Sequence, residues 1–261
     1  MPIPTVAESY DTSAEKPSFS FSQIALYAFC PFAFRLRELL GFQPPLAKEL
    51  GYGKCLHHLL RRLAEYVRST GKLPGPYDVD KLFKEEFYLA FATGPAFERM
   101  KNAARKIIDQ YLSENSQELF RVWATERNFE LHLARATIDG RADVILDREE
   151  SMSGNMAILD YKTTVYWDKM EVHIFQLHIY STAARLEGIN VKNAYVHDLK
   201  EGRRVTVDIG EEALERAVSH ARHIVDGILQ RRLEPSIGDH CVRCDVRPIC
   251  KAGSDYVGAL S

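Results

Sequence analysis

A mixed α and β fold is predicted by a change in the apolar pattern along the chain. Within residues 20–118 apolar side chains recur mostly at helical spacing, and beyond them they alternate or form the short runs typical of strands. The chain has 261 residues, of which 46% are hydrophobic and 27% charged, as is ordinary for a globular protein with a substantial core. This length allows one elaborated domain or two small ones.

The first part of the chain is expected to be a tail followed by helices. Residues 1–18 are rich in Pro, Ser, Thr and Glu, a composition typical of flexible tails. The spacing of Ser20 and Gln23 is that of a capping box, so a helix should begin there and run towards Phe29, before Cys30-Pro31 interrupts it. Apolar spacing, with Gly or Pro at the breaks, predicts further helices over residues 32–40, 56–69, 80–92 and 95–112, with a link at 43–50.

The sheet is expected within residues 119–232. Strand-like patterns cover residues 123–133, 136–146, 156–164, 193–199 and 204–209. Helical patterns cover residues 170–186 and 211–231, and a polar loop containing Gly154 separates the second strand from the third. A cysteine-containing segment follows, and residues 254–261 are assigned to a second tail.

Charge and cysteine content limit the possible classes of function. The net charge of −2 gives no global basic field, so nucleic-acid binding would depend on local patches and on a cation. Five cysteines, an odd number, do not indicate a disulfide framework. No apolar run reaches the about 18 residues of a membrane span, and the N-terminal residues lack the apolar centre of a signal peptide. We therefore expect a cytoplasmic protein without membrane partners, in which clustered cysteines bind metal.

Asp160 and Lys162 stand two residues apart at the end of a buried strand. Strand geometry places both side chains on one face and Tyr161 on the other. Alone, this pattern fits equally well a strand that leaves the core for solvent. On the preceding strand Asp143 lies among apolar residues, and if the two strands pair, Asp143 and Asp160 converge. Converging carboxylates repel unless a cation bridges them, and such oxygen ligands suit Mg²⁺ or Mn²⁺. Asp139 is the alternative, but it precedes Gly140 and has the character of a turn residue.

Three further residues are candidates for the same site. His57 opens a predicted helix, with His58 pointing about 100° away from it. A lone helical histidine is more often structural. Gln176 and Tyr180 share one face of the next helix, where their ordinary interpretation is as polar residues of the surface or core.

Taken in order, these residues and their neighbours resemble the successive motifs of RecB-type nucleases, a group within the PD-(D/E)XK superfamily. The motifs are Gly-x-x-Leu-His57, Gly-Arg-x-Asp143, Asp160-x-Lys162 and Gln176-Leu-x-x-Tyr180. The resemblance spans roughly residues 20–250 and implies one nuclease domain over residues 19–253. Its fold would be a restriction-endonuclease-like core sheet flanked by helices, with a helical part before residue 118.

The resemblance also implies a chemistry for the site. A divalent cation, Mg²⁺ or Mn²⁺, would be bound by His57, Asp143, Asp160 and the carbonyl of Tyr161. Lys162 would be the catalytic lysine, and Gln176 and Tyr180 would help to place the DNA strand.

Three of the cysteines are clustered near the C-terminus, in Cys241-x-x-Cys244 followed by Cys250. A site with four ligands needs one more, and the candidates are Cys30, Cys55 and His240. Cys55 is close to His57 and is expected as a buried thiol beside the nuclease site, whereas His240 adjoins Cys241 and chelates awkwardly with it. Spacing alone allows either zinc or an iron–sulfur cluster.

Here too a resemblance narrows the choice. One remote cysteine followed by Cys-x-x-Cys-x5-Cys is similar to the pattern in CRISPR-associated RecB-like exonucleases and AddB-type nuclease domains. It implies a [4Fe–4S] cluster held by Cys30, Cys241, Cys244 and Cys250, which would join the two ends of the domain. Zinc is the less favoured occupant.

The expected function is therefore metal-dependent hydrolysis of DNA, as an exonuclease on single-stranded ends. The expected partners are DNA and a helicase or CRISPR integrase complex, in repair, recombination or CRISPR-related and phage-related processing. The alternative is a catalytically weak protein that binds DNA ends beside such a partner. Basic residues near the cysteines and aromatic residues near Cys30 are candidates for DNA contacts, although packing and solvation are their commoner roles.

Overall fold

The computed structural model describes residues 16–43, 51–147, 154–165 and 170–260. The expected tail before residue 16, most of the link at 43–50 and most of the polar loop at 147–155 lie outside these residues. The strands are β1 (Ser18–Ser20), β2 (Val122–His132), β3 (Thr137–Asp147), β4 (Met156–Lys162), β5 (Val191–Asp198) and β6 (Arg203–Val207). The helices are α1 (Phe21–Phe29), α2 (Pro31–Phe34), α3 (Tyr52–Thr70), α4 (Pro76–Glu86), α5 (Gly94–Asn115), α6 (Met170–Leu186), α7 (Glu211–Leu229) and α8 (Lys251–Gly258). The predicted mixed α and β class is confirmed.

The six strands form one mixed sheet. β2 is antiparallel to β3, β3 to β4, and β5 to β6, whereas β4 and β5 run parallel, connected through α6. Since β2 occupies one edge of β3, the short β1 and the strand β4 share the other edge. β1 pairs with residues 137–139 of β3 and β4 pairs with residues 144–147, which leaves residues 140–143 between them. This gap positions the candidate site.

Two apolar cores cover the two faces of the sheet. Ile158 of β4 belongs to the core that contains residues of α1, α6 and α7, whereas Leu159 belongs to the core formed with α3 and α5. Successive residues of β4 face opposite sides of the sheet and both sides are buried, which agrees with the continuous apolar run that predicted this strand. Within the described part of the chain, no helix has the length and apolar character needed to cross a membrane.

Four local predictions are corrected by the structure. The helix expected at 80–92 spans Pro76–Glu86, because Phe87 turns to an extended conformation and, with Leu89, is buried in the helical core. The strand β1 begins within the segment assigned to the N-terminal tail. Residues 254–258, assigned to the C-terminal tail, belong to α8, whose first turn is capped by the Cys250 sulfur accepting from the Gly253 N–H. Asp139 lies within β3 and is not a turn residue.

Candidate active site

Asp143 lies where β3 and β4 separate. The last pair of their ladder is Val144↔Leu159, and the same register places Asp143 opposite Asp160. Beyond that pair a side chain replaces the backbone ladder, because Oδ2 of Asp143 accepts a hydrogen bond of 2.7 Å from the N–H of Tyr161. The structure therefore brings together the two aspartates that the sequence selected.

Asp160 is a buried carboxylate next to a lysine. Its side chain is 3% exposed, and Nζ of Lys162 lies 2.7 Å from its Oδ2. This approach does not have hydrogen-bond geometry, so the buried Oδ2 accepts no hydrogen bond. Burial raises the pKa of Asp160, although the charge of Lys162 acts in the opposite direction. A carboxylate that is both buried and incompletely satisfied is suited to binding a cation.

His57 reaches the same place from the first turns of α3. Its Nδ1 lies 3.1 Å from Oδ1 of Asp143. Burial lowers the pKa of His57, but the hydrogen bond and charge of Asp143 and the charge of Asp160 outweigh it, so the pKa lies above its ordinary value. His58 points elsewhere as expected, with its Nε2 2.8 Å from a carboxylate oxygen of Glu86.

Helix α6 supplies Gln176 and Tyr180. Nζ of Lys162 donates to Oε1 of Gln176 at 3.3 Å, and the Gln176 amide donates to the hydroxyl of Tyr180 at 3.2 Å. The same hydroxyl accepts from the backbone N–H of Arg141 at 3.2 Å. Burial raises the pKa of Tyr180 to about 12, so the phenol stays protonated at neutral pH. Gly140 is required here, because a Cβ on it would lie 2.3 Å from the Tyr180 ring.

Tyr161 packs on the opposite face of the sheet, as the strand period predicted. Its hydroxyl shares a buried hydrogen bond of 2.7 Å with that of Tyr111, and its ring meets the ring of His197. Asp139 lies away from these groups, where it accepts a hydrogen bond of 2.9 Å from the hydroxyl of Ser18.

Glu126 of β2 is a neighbour of the site that the sequence analysis did not select. Ligand atoms of His57, Glu126 and Asp143 all lie within 4.8 Å of one another, and they form the one such group of three found in the described ranges. No short motif marks Glu126, because its position depends on the pairing of β2 with β3.

The four selected cysteines surround one place in the fold. Cys30, Cys241 and Cys250 are buried, and Cys244 packs against Cys30 in a small apolar cluster with Val246. Burial raises the pKa of Cys244, with smaller contributions from the nearby Cys30 and Cys241. The sulfurs of Cys250 and Cys241 lie 3.5 and 3.7 Å from the point where a Cβ on Gly253 would stand.

The other two candidate ligands are engaged elsewhere. Cys55 is a buried thiol in the helical core, and Nε2 of His240 lies 3.0 Å from the carbonyl oxygen of Ser236. Among the described residues no three cysteine sulfurs lie within 4.8 Å of one another.

Several basic residues that could contact DNA have acidic partners instead. Arg37 contacts Asp245, and Arg61 and Arg62 contact Glu65. Of the aromatic residues near Cys30, Tyr27 and Phe34 are buried in the core, and Phe29 is 40% exposed. Packing is therefore the main role of these aromatic side chains.

Comparisons with known proteins identify the family of the chain and a similar fold. A family model described as the PD-(D/E)XK nuclease superfamily matches residues 18–251. The crystal structure of a candidate exonuclease from Eubacterium rectale superposes with a TM-score of 0.57 at 15% identity, covering 96% of this chain and 94% of the other. At that identity the similarity is one of fold. A second crystal structure, that of SSO0001, has a TM-score of 0.43 at 15% identity and covers 92% and 88% of the two chains, too weak a likeness to support a conclusion. No curated protein matches the sequence.

Proposed function

The chain belongs to the PD-(D/E)XK nuclease superfamily, and on that premise we propose that it is a divalent-metal-dependent DNA exonuclease acting on single-stranded ends. The observation that carries this proposal is the buried Asp160 beside Lys162, opposite Asp143 where β3 and β4 part. The group combines acidic ligands with a cationic side chain, as phosphodiester hydrolysis requires.

The donor set fits Mg²⁺ or Mn²⁺. Asp143 and Asp160 offer hard oxygens, His57 offers an imidazole nitrogen, and the Tyr161 carbonyl is at the same end of β4. Oδ2 of Asp160 is buried and accepts no hydrogen bond, so a cation would satisfy it. The chemistry that such a cation supplies is activation of water and neutralisation of charge on the phosphate.

The protein's own groups orient and stabilise the reacting phosphate. The Lys162 ammonium lies between Asp160 and Gln176 and donates to Gln176, so its other protons can face a phosphate oxygen or the attacking water. The Tyr180 hydroxyl accepts hydrogen bonds from the Gln176 amide and the Arg141 backbone N–H. Its own proton is therefore available to donate a hydrogen bond to the DNA strand. These roles of Lys162, Gln176 and Tyr180 are part of the proposal.

A short single-stranded end is the favoured substrate for two reasons. The net charge is −2, so the protein has no overall basic field with which to attract a long duplex. The structurally similar Eubacterium rectale protein is described as a candidate exonuclease.

The test compares linear and circular single-stranded DNA of the same sequence, each with Mg²⁺ or Mn²⁺. We expect linear DNA to be degraded from its ends and circular DNA to resist. The Asp160→Asn variant should lose the activity, whereas Asp139→Asn, which changes an aspartate outside the site, should keep it. Equal cleavage of both forms would contradict an exonuclease, and no cleavage of any DNA would contradict a nuclease.

A [4Fe–4S] cluster on Cys30, Cys241, Cys244 and Cys250 is a further part of the proposal. Four converging thiols, three of them buried, support a metal site. The choice of a [4Fe–4S] cluster over zinc rests on the resemblance of the cysteine pattern. Its role would be structural, because metal binding at such a site contributes directly to folding.

The remaining parts of the proposal concern the cellular context. We place the nuclease in the cytoplasm, beside a helicase or a CRISPR integrase complex, in DNA repair, recombination or phage-related processing. The cysteine pattern and the absence of a membrane-spanning helix among the described residues support this context.

A further inference from the structure

Glu126 lies in a row with the two aspartates of the site. The pairs Thr125↔Val144 and Arg127↔Ala142 flank it in the β2–β3 ladder, so Glu126 stands opposite Asp143. Asp143 in turn stands opposite Asp160 in the register of β3 and β4. Three carboxylates therefore occupy one level across three adjacent antiparallel strands.

The side chain of Glu126 is close enough to share a cation with this site. Its carboxylate, the imidazole of His57 and the carboxylate of Asp143 present ligand atoms within 4.8 Å of one another. The 98% buried Asp160 stands at the same level of the sheet, and its Oδ2 lies 2.7 Å from Nζ of Lys162 without a hydrogen bond of normal geometry. Neither the DNA-placing residues of α6 nor the motifs of the sequence include Glu126.

The contacts of Glu126 indicate that its present partner is exchangeable. Nε of Arg141 lies 2.6 Å from Oε2 of Glu126, but the Arg141 side chain is 61% exposed, whereas that of Glu126 is 24% exposed. An arginine this exposed can move into solvent at little cost. Glu126 also has a φ of 52°, which non-glycine residues within strands rarely adopt, and this interrupts the regular alternation of β2 beside Asp143.

We propose that Glu126 is a further carboxylate ligand of the divalent cation at His57 and Asp143, and that Arg141 occupies its carboxylate until the cation binds. This inference rests on the proposed function, because it assumes that the centre takes Mg²⁺ or Mn²⁺. It adds a third strand, β2, to a centre that the motifs assign to α3, β3 and β4. Cation entry and release of Arg141 are then coupled.

Binding of Mn²⁺ to the protein without DNA, measured by calorimetry and by electron paramagnetic resonance, tests the inference. Glu126→Gln should weaken Mn²⁺ binding tenfold or more. A loss of this size is already typical of groups that only orient a metal ligand, so a direct ligand should cost at least as much. Glu130→Gln, an exposed glutamate on the same strand, should change binding less than twofold. Arg141→Gln alone should tighten Mn²⁺ binding. Added to Glu126→Gln in a double variant, it should not change Mn²⁺ binding further. Arg135→Gln is the matched arginine control.

The outcomes separate the two proposals. Wild-type protein that binds no Mn²⁺, or binding that survives Asp160→Asn, overturns the proposed metal centre. Binding that Asp160→Asn abolishes but Glu126→Gln leaves within twofold overturns only the role of Glu126. An equal effect of Arg141→Gln with and without Glu126 does the same. If the metal-free melting temperature shows that Glu126→Gln does not fold, Arg141→Gln in the wild-type background decides, and Mn²⁺ binding that it leaves unchanged or weakens overturns the role of Glu126.

Discussion

Single residues on the face of the sheet opposite the candidate site explain why Asp160 and Lys162 point towards that site. Tyr161 shares a buried hydrogen bond with Tyr111, and both rings pack against His197. Nε of Arg204 donates to Nδ1 of His197 at 2.8 Å. This polar cluster fixes Tyr161 on the back of the sheet, so Asp160 and Lys162 must face the opposite side.

His197 makes the stability of this cluster depend on pH. Burial lowers its pKa to about 4, and the charge of Arg204 acts in the same direction. In the unfolded chain this histidine has a pKa of about 6.5, so below that pH the unfolded chain binds a proton that the folded protein does not bind. This contribution is absent above the unfolded pKa, and it destabilises the fold progressively as the pH falls from about 6.5 to 4. Between pH 7 and pH 5 the loss should be about 2 kcal/mol.

Urea unfolding at pH 7 and pH 5 measures this loss by comparing wild type with His197→Gln. The variant should lose less stability than wild type over that interval, because a glutamine does not titrate. The exposed His223→Gln should behave like wild type. An identical pH dependence in all three proteins would show that His197 is not held neutral.

Charged residues in apolar surroundings were predictable from the sequence, and Glu126 was not. Asp143 and Asp160 each interrupt a buried strand, and this local conflict selected them. Glu126 lies among polar and charged neighbours, Thr125 and Arg127, so nothing local distinguishes it. Its approach to Asp143 follows from the pairing of β2 with β3, which residue spacing does not reveal.

At the scale of elements, some predicted boundaries match those of the structure and others do not. The helix predicted at 170–186 is α6 over the same residues, and the capping box at Ser20 is formed as expected. In α4 the sequence beyond Glu86 remains apolar, which favoured a longer helix. Burial there alternates between Phe87, Tyr88 and Leu89, so the extended conformation agrees with a period of two.

The short strand β1 could not be predicted from its own residues, because it depends on pairing with a distant strand. Its three residues are Ser18, Phe19 and Ser20, with little strand propensity. It is held by parallel pairing with β3 and by the hydrogen bond from the N–H of Thr137 to the carbonyl of Pro17. Because both contacts reach a strand more than one hundred residues away, no nearby pattern indicates them.

At the scale of the whole molecule, the proposed cysteine cluster would join the two ends of the domain. Cys30 follows α1, whereas Cys250 precedes α8. A cluster linking them would close a loop of some two hundred residues and stabilise the fold through binding energy. We expect anaerobically purified protein to be coloured and to contain iron and sulfide, and Cys30→Ser to lose both and to unfold at lower urea concentration.

Cys55→Ser is the matched control for that experiment. Cys55 is as buried as Cys30, but it lies in the helical core away from the other thiols. It should leave the iron content unchanged. A colourless wild-type protein containing zinc would contradict the iron–sulfur cluster, and full iron retention in Cys30→Ser would exclude Cys30 as a ligand.

The central claim is that Asp160 and Lys162 form a nuclease site, and Lys162→Met tests it most directly. Methionine keeps the unbranched shape of the side chain and removes the charge. Single-turnover cleavage of linear single-stranded DNA should fall by about a hundredfold to a thousandfold, the range of a lost charge-stabilising group, with Mn²⁺ and DNA binding retained. Lys192→Met, an exposed lysine on β5, should cleave at the wild-type rate. Cleavage by Lys162→Met within a few-fold of wild type would contradict the claim.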